Sequence, residues 1–258
     1  MLTAIRGALG FFTRIPTGQS EAAWDAFVRA PWTFPVVGYL IGGVVAVPVA
    51  FAALASLPPL TVAVAATVVV YAVTGITHLD GVADLGDAAV VHGDAADRRS
   101  VMRDSALGVG GTLALVLVVT GLVTGLFGVV GVATDPSGGV GFAVALVVTA
   151  EVAARAAAGS LVCLGDAAHS GLGSTVTEAV GPRAALPVLA LVAPAVVLGW
   201  PRLGPGVAAV LAAMSGAAVL YRWANRQIGG VSGDVLGATT ELARVAALHT
   251  GVIVWTLS

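Results

Sequence analysis

Lysine is absent from the 258 residues, and cysteine occurs once, at position 163. A single thiol makes no disulfide within the chain and no cysteine-rich metal centre, so Cys163 reads as a small residue beside a helix end. Charge of either sign is scarce: 12 arginines and 14 carboxylates make up 10% of the residues, where a globular domain carries about a quarter. A net charge of −2 gives no basic surface for a polyanion, which excludes nucleic acid as a partner. Sustained alternation of polar and apolar residues is also missing. Lipid tolerates no open sheet edge, so helices are the remaining way to bury this backbone.

Apolar residues fill the space. They make up 58% of the chain and give a mean hydropathy of +0.99, a composition that belongs to a membrane protein. A spanning helix takes about 20 apolar residues. Candidate spans fall at 34–57, 60–76, 111–133, 140–158, 184–200, 207–221 and 242–257. The expected fold is all-α: one membrane-embedded domain over 1–258, a multi-pass bundle of about seven transmembrane helices. Residues 1–17 hold Arg6 and Arg14 around a short apolar run without a cleavage pattern, which predicts an amphipathic helix on the cytoplasmic face. With the N-terminus cytoplasmic, Arg6, Arg14, Arg29, Arg98, Arg99, Arg103, Arg155, Arg183, Arg222, Arg226 and Arg244 fall inside and Arg202 alone outside, the usual bias of a cell membrane protein. The polar loops 159–183 and 222–241 then face the cytoplasm.

Six of the fourteen acids crowd into residues 77–105: Asp80, Asp84, Asp87, Asp94, Asp97 and Asp104. Asp80, Asp84 and Asp87 stand at i, i+4 and i+7, on one helix face, where like charges repel. A hard cation such as Mg²⁺ relieves that repulsion and shares carboxylate oxygens with phosphates. The bland alternative is a solvated acidic helix, which the position of the triad at the end of an apolar span disfavours. His78 is either a ligand or proton acceptor, or a helix-end residue satisfied by backbone. Arg98, Arg99 and Arg103, followed by Gly108, Gly110 and Gly111 before a span, suit phosphate binding or, equally, anchoring to anionic lipid. In 229–241, Asp234 and Glu241 share a helix face beside Gly229, Gly230 and Gly233, as a site or as the cap of the last span. Asp166, His169 and Glu178, with Gly171 and Gly173, read as a mobile loop that covers substrate or as an ordinary connector, the latter slightly favoured.

The motifs HLDGVADLGDA (78–88), MRDSALGVGG (102–111) and GGVSGDVLGATTE (229–241), in this order and separated by spans, resemble the cobalamin synthase family of adenosylcobinamide-GDP ribazoletransferases. FFTRIP (11–16), FPVVGYLIG (34–42) and GLGS (171–174) extend the likeness almost end to end. The resemblance implies an Mg²⁺-dependent enzyme in the lipid bilayer that joins adenosylcobinamide-GDP to α-ribazole or its 5′-phosphate and releases GMP. It further implies Asp80, Asp84 and Asp87 as metal ligands, and Arg103, Ser105, Gly108, Gly233 and Glu241 at the substrate. His78, Asp104 or Asp234 would accept the proton of the attacking hydroxyl, and whether the enzyme is a homo-oligomer stays open. Ala106 stands where the family usually carries arginine, and Ala88 where glycine is common. A CDP-alcohol phosphotransferase would need a longer aspartate and glycine pattern than 80–87 supplies. A cation-coupled transporter would hold its carboxylates near the bilayer midplane, where Glu151 alone is expected.

Overall fold

Valine, alanine, leucine and glycine runs leave the backbone to satisfy itself, and helices account for nearly all the regular structure of the computed structural model, which describes every residue except Gln19 and Ser56. Among the described residues the sole β-pairing is a parallel bridge between Ala167 and Val231. Helices α1 (Leu2–Phe12) and α2 (Glu21–Val28) form a short hairpin. Phe11, Phe12, Trp24, Phe27 and Phe34 knit it to α3 (Thr33–Ala55), with ring centroids 4.7–5.8 Å apart. α4 (Pro59–Thr74) ends at Gly75, whose φ of 75° turns the chain into α5 (Thr77–Val90) at 99° to α4. α5 therefore crosses the end of the bundle instead of continuing through it. The short α6 (Ala95–Val101) leads to α7 (Val109–Thr134) and α8 (Val140–Leu164). After α9 (Leu172–Thr177), α10 (Ala185–Ala190) and α11 (Ala193–Val197), the long helices α12 (Leu203–Gln227) and α13 (Gly233–Leu257) complete the chain.

α8 is the central post, with every residue from Ala145 to Cys163 buried. Small residues let its neighbours approach. A Cβ on Gly38 or Gly42 would lie 2.8 Å from the Cα of Val152 or Val148, so α3 and α8 touch backbone to backbone. Among the described residues four helices, α3, α7, α8 and α12, are long and apolar enough to cross a membrane, and the bent pair α4–α5 makes a fifth if counted as one span. α13 has the length of a span but carries Asp234, Glu241 and Arg244.

Three expectations are corrected here. Residues 184–200 fall short of a span: the apolar helical stretch Pro182–Val197, a 3-10 turn followed by α10 and α11, is shorter than a bilayer needs and is irregular where Pro194 lacks the N–H that would continue the helix. The motif 229–241 is not a loop, since its last nine residues are the start of α13. Arg155 and Arg244 are not cytoplasmic loop residues: both are buried in helices, at 0% and 1% exposure, which removes them from the charge asymmetry.

Candidate active site

α5 carries the acidic stripe, and the stripe sinks as it runs: Asp80 is exposed, Asp84 half-buried and Asp87 buried. Asp87 reaches the start of α7, where its two oxygens accept the Gly108 and Gly111 N–H groups, both at 2.8 Å. Those donors have no partner within α7, and a carboxylate at a helix N-terminus also meets the positive end of its dipole. The glycines make room for it: a Cβ at Gly111 would stand 2.6 Å from Asp87 Oδ2, and one at Gly108 would collide with Oδ1. Gly108, expected at a phosphate, gives its N–H to Asp87.

Other acids of 77–105 also serve backbone. Asp94 accepts the Ala96 and Asp97 N–H groups at 2.7 and 3.0 Å, and Asp97 returns the bond to the Asp94 N–H at 3.1 Å, a reciprocal cap on α6. Asp104, in the exposed loop with Arg103 and Ser105, accepts the Ala106 N–H at 3.2 Å. Arg98 Nη1 donates to the Ala88 carbonyl at the end of α5 (2.5 Å), and Arg99 Nη1 to that of Ile228 after α12 (2.8 Å). Among the described residues Arg103 bonds only the Arg99 carbonyl, through Nε at 3.1 Å. Asp80 and Asp84 are left without such duties.

α5 meets the first turns of α13 through a glycine on each side. A Cβ on Gly81 would fall 2.5 Å from the Asp234 carbonyl oxygen, and one on Gly237 3.1 Å from the His78 Cα. The crossing sets Asp234, just inside α13 after the Ser232 cap, near Asp80 and Asp84. Burial, then the charges of Asp234, Asp80 and Asp87, push the Asp84 carboxyl up to about 7. Burial likewise raises Asp234, against the Ser232 hydroxyl, which holds it down from 3.3 Å. Among the described residues no arginine or histidine pairs with Asp80, Asp84 or Asp234. Nor do any three His, Cys, Asp or Glu side chains stand ready to hold a metal ion.

A cavity of about 290 Å³ opens at this crossing. Asp80, His78 and Thr77 line it from α5, Asp234, Gly233 and Gly237 from α13; Phe11, Phe12 and Phe34 form an apolar wall. Burial holds His78 below its ordinary range, so its ring is neutral at pH 7. Its Nδ1 lies 3.5 Å from both Glu241 Oε1 and Arg155 Nη1, which leaves Nε2 as its second ring nitrogen. Glu241, expected at the substrate, is buried inside the bundle: its Oε2 takes Arg244 Nη1 at 2.5 Å and the Tyr71 hydroxyl at 3.3 Å. Arg244 also forks onto Glu151, Nε to Oε1 at 2.5 Å and Nη2 to Oε2 at 3.3 Å. The reading of loops and motifs missed this network. Its signal was present in the spacing of Glu241 and Arg244 at i,i+3, and in the lone Glu151 of an otherwise apolar span.

Residues 4–252 match the family described as cobalamin-5-phosphate synthase. The chain is 61% identical to a Halorubrum lacusprofundi protein over 99% of both chains, and 46% identical to one from Haloquadratum walsbyi over the full length of both. A Methanococcoides burtonii protein is 29% identical over 96% of this chain and 90% of its own. All three are named adenosylcobinamide-GDP ribazoletransferase. No solved structure matches the chain.

Proposed function

The chain belongs to the cobalamin-5-phosphate synthase family, and from that premise we propose how its residues carry out the family reaction. It is a membrane transferase of cobalamin synthesis that joins adenosylcobinamide-GDP to α-ribazole or its 5′-phosphate and releases GMP. The observation that carries the assignment of the site is the gathering of Asp80 from α5 and Asp234 from α13 on the wall of one cavity, with Asp84 close enough behind them to feel both charges. Their hard oxygens, their mutual repulsion and their lack of a cationic partner fit Mg²⁺, although as they stand the side chains are not drawn together. Bound there, Mg²⁺ would neutralise charge on the diphosphate. Asp87, with both oxygens given to α7, contributes by fixing α5 in place.

The reaction breaks the bond between the cobinamide-side phosphorus of the donor and the oxygen that bridges it to the GMP phosphorus, so that GMP leaves with that oxygen and the electron pair while a ribazole hydroxyl oxygen forms the new bond to the same cobinamide-side phosphorus. His78, neutral and lining the cavity, accepts the hydroxyl proton on Nε2. Asp234 is the alternative acceptor on the same wall; the Asp104 carboxylate is engaged in its own loop. Arg103 and Ser105, exposed on the α6–α7 loop, lie free to steady a phosphate, and Gly233 admits the substrate edge. The site faces the cytoplasm of a cell whose bilayer surrounds α3, α7, α8 and α12.

The test is GMP release from adenosylcobinamide-GDP by purified protein, on adding α-ribazole and Mg²⁺. Release that stops with EDTA and in Asp84→Asn supports the whole reading. Full activity in both Asp80→Asn and Asp84→Asn overturns the metal seat.

A further inference from the structure

Among the described residues Arg155 is the buried charge with the most unpartnered nitrogens. Its guanidinium is fully buried in α8. Among the described residues neither Nε nor Nη2 finds an acceptor. Its neighbours are the face of Phe12, 5.2 Å from the guanidinium carbon to the ring centroid, and His78 Nδ1, 3.5 Å from Nη1. A ring face returns only part of what a guanidinium loses on leaving water. The carboxylate one turn earlier, Glu151, is committed through both oxygens to Arg244, and Glu241 gives Oε2 to the same arginine. Glu241 Oε1 is itself without a hydrogen-bond partner, and among the described residues neither carboxylate is hydrogen-bonded to Arg155.

Phe12 and His78 are also walls of the cavity described above, and Ala158, one turn beyond Arg155 on α8, is another. The guanidinium therefore stands behind two of the side chains that wall the cavity, Phe12 and His78. We propose that Arg155 is a second, cationic part of the site, which takes a phosphate group of the nucleotide substrate when Phe12 on α1 gives way. A planar fork of N–H donors suits phosphate oxygens better than a point charge would. The proposal rests on the reading of this cavity as the active site, and it separates the charge work in space: carboxylates on the cavity wall, a guanidinium behind it.

Calorimetric titration of GMP and guanosine into the intact protein in dodecyl maltoside, a detergent without phosphate, tests it independently of turnover. Wild type should bind GMP more tightly than guanosine. In Arg155→Gln the guanosine Kd should hold while that of GMP rises by about tenfold to a hundredfold. Arg155→Lys, which keeps the charge and loses the fork, should fall between and guards against a misfolded glutamine variant. An unchanged ratio of the two affinities, or a parallel loss of both ligands, overturns the role. GMP release by wild type, followed separately, keeps the two readings apart. Release with an unchanged ratio removes Arg155 alone, whereas a collapsed ratio without release removes the proposed reaction alone.

Discussion

Asp84 and Asp87 lie three residues apart and hold opposite positions in the energetics. Asp87 is paid back by two backbone donors; Asp84 has only like charges and burial around it, and its carboxyl rises from 3.8 to about 7. A carboxyl raised in the folded state favours folding at low pH, and that contribution is lost as pH climbs through about 7. Without divalent metal, apparent Tm should therefore be lower at pH 8 than at pH 6. Asp84→Asn should recover about 1 kcal/mol at pH 8, a figure discounted for solvent screening at this half-exposed position, while abolishing GMP release. Asp87→Asn should do the reverse, costing about 1–3 kcal/mol because an amide leaves one buried N–H of α7 facing another donor. Thermal unfolding of both variants in EDTA reads the contrast. The stripe at i, i+4, i+7 was legible in sequence, whereas the duty of Asp94 and Asp97 as a cap on α6 emerged only with the structure. What spacing alone could not give was depth: which of three carboxylates on one face meets solvent, and which meets the end of another helix.

Among the elements, the crossing of α5 and α13 decides whether Asp84 and Asp234 meet. Gly81→Ala would press a methyl to 2.5 Å from the Asp234 carbonyl oxygen. Separation of the two helices should cost about 1–3 kcal/mol and lower kcat further than that loss of stability explains. Gly43→Ala, with nothing within 4 Å, should leave activity unchanged and serves as the comparison in the same assay. Hydropathy found α3, α4, α7 and α8 nearly to their ends because lipid demands length and little else. It failed at 184–200, where composition is apolar but Pro194 removes a donor, and at 229–241, where charge suggested a loop. There Glu241 is tolerable within a helix because Arg244 sits one turn on and Glu151 faces it from α8, a partnership that no single segment displays.

At the scale of the whole molecule, the Glu151–Arg244–Glu241 triad joins α8 to α13 at the centre of the bundle. Arg244→Met would strand two buried carboxylates, and a loss of about 3–5 kcal/mol should appear as failure to accumulate folded protein, measured by size-exclusion chromatography of detergent extracts. The expected orientation is testable because Cys163 is the sole thiol and is buried. In a Cys163→Ala background, Ser105→Cys should react with an impermeant maleimide only from the cytoplasmic side and Ser137→Cys only from outside. The family could be read from three ordered motifs without any coordinates, since motifs keep residue order. The cavity could not, because its walls come from α1, α3, α5, α8, α9 and α13.

The elbow at Gly75 leaves α4 with 16 residues, about 24 Å at 1.5 Å per residue, against a hydrocarbon layer about 30 Å thick. A bilayer crossed by α4 alone would have to be pinched to match it. Turnover in reconstituted vesicles should consequently depend on acyl-chain length and run fastest in the shorter-tailed phospholipids, so that the surrounding membrane's thickness becomes a determinant of how rapidly the cofactor is completed.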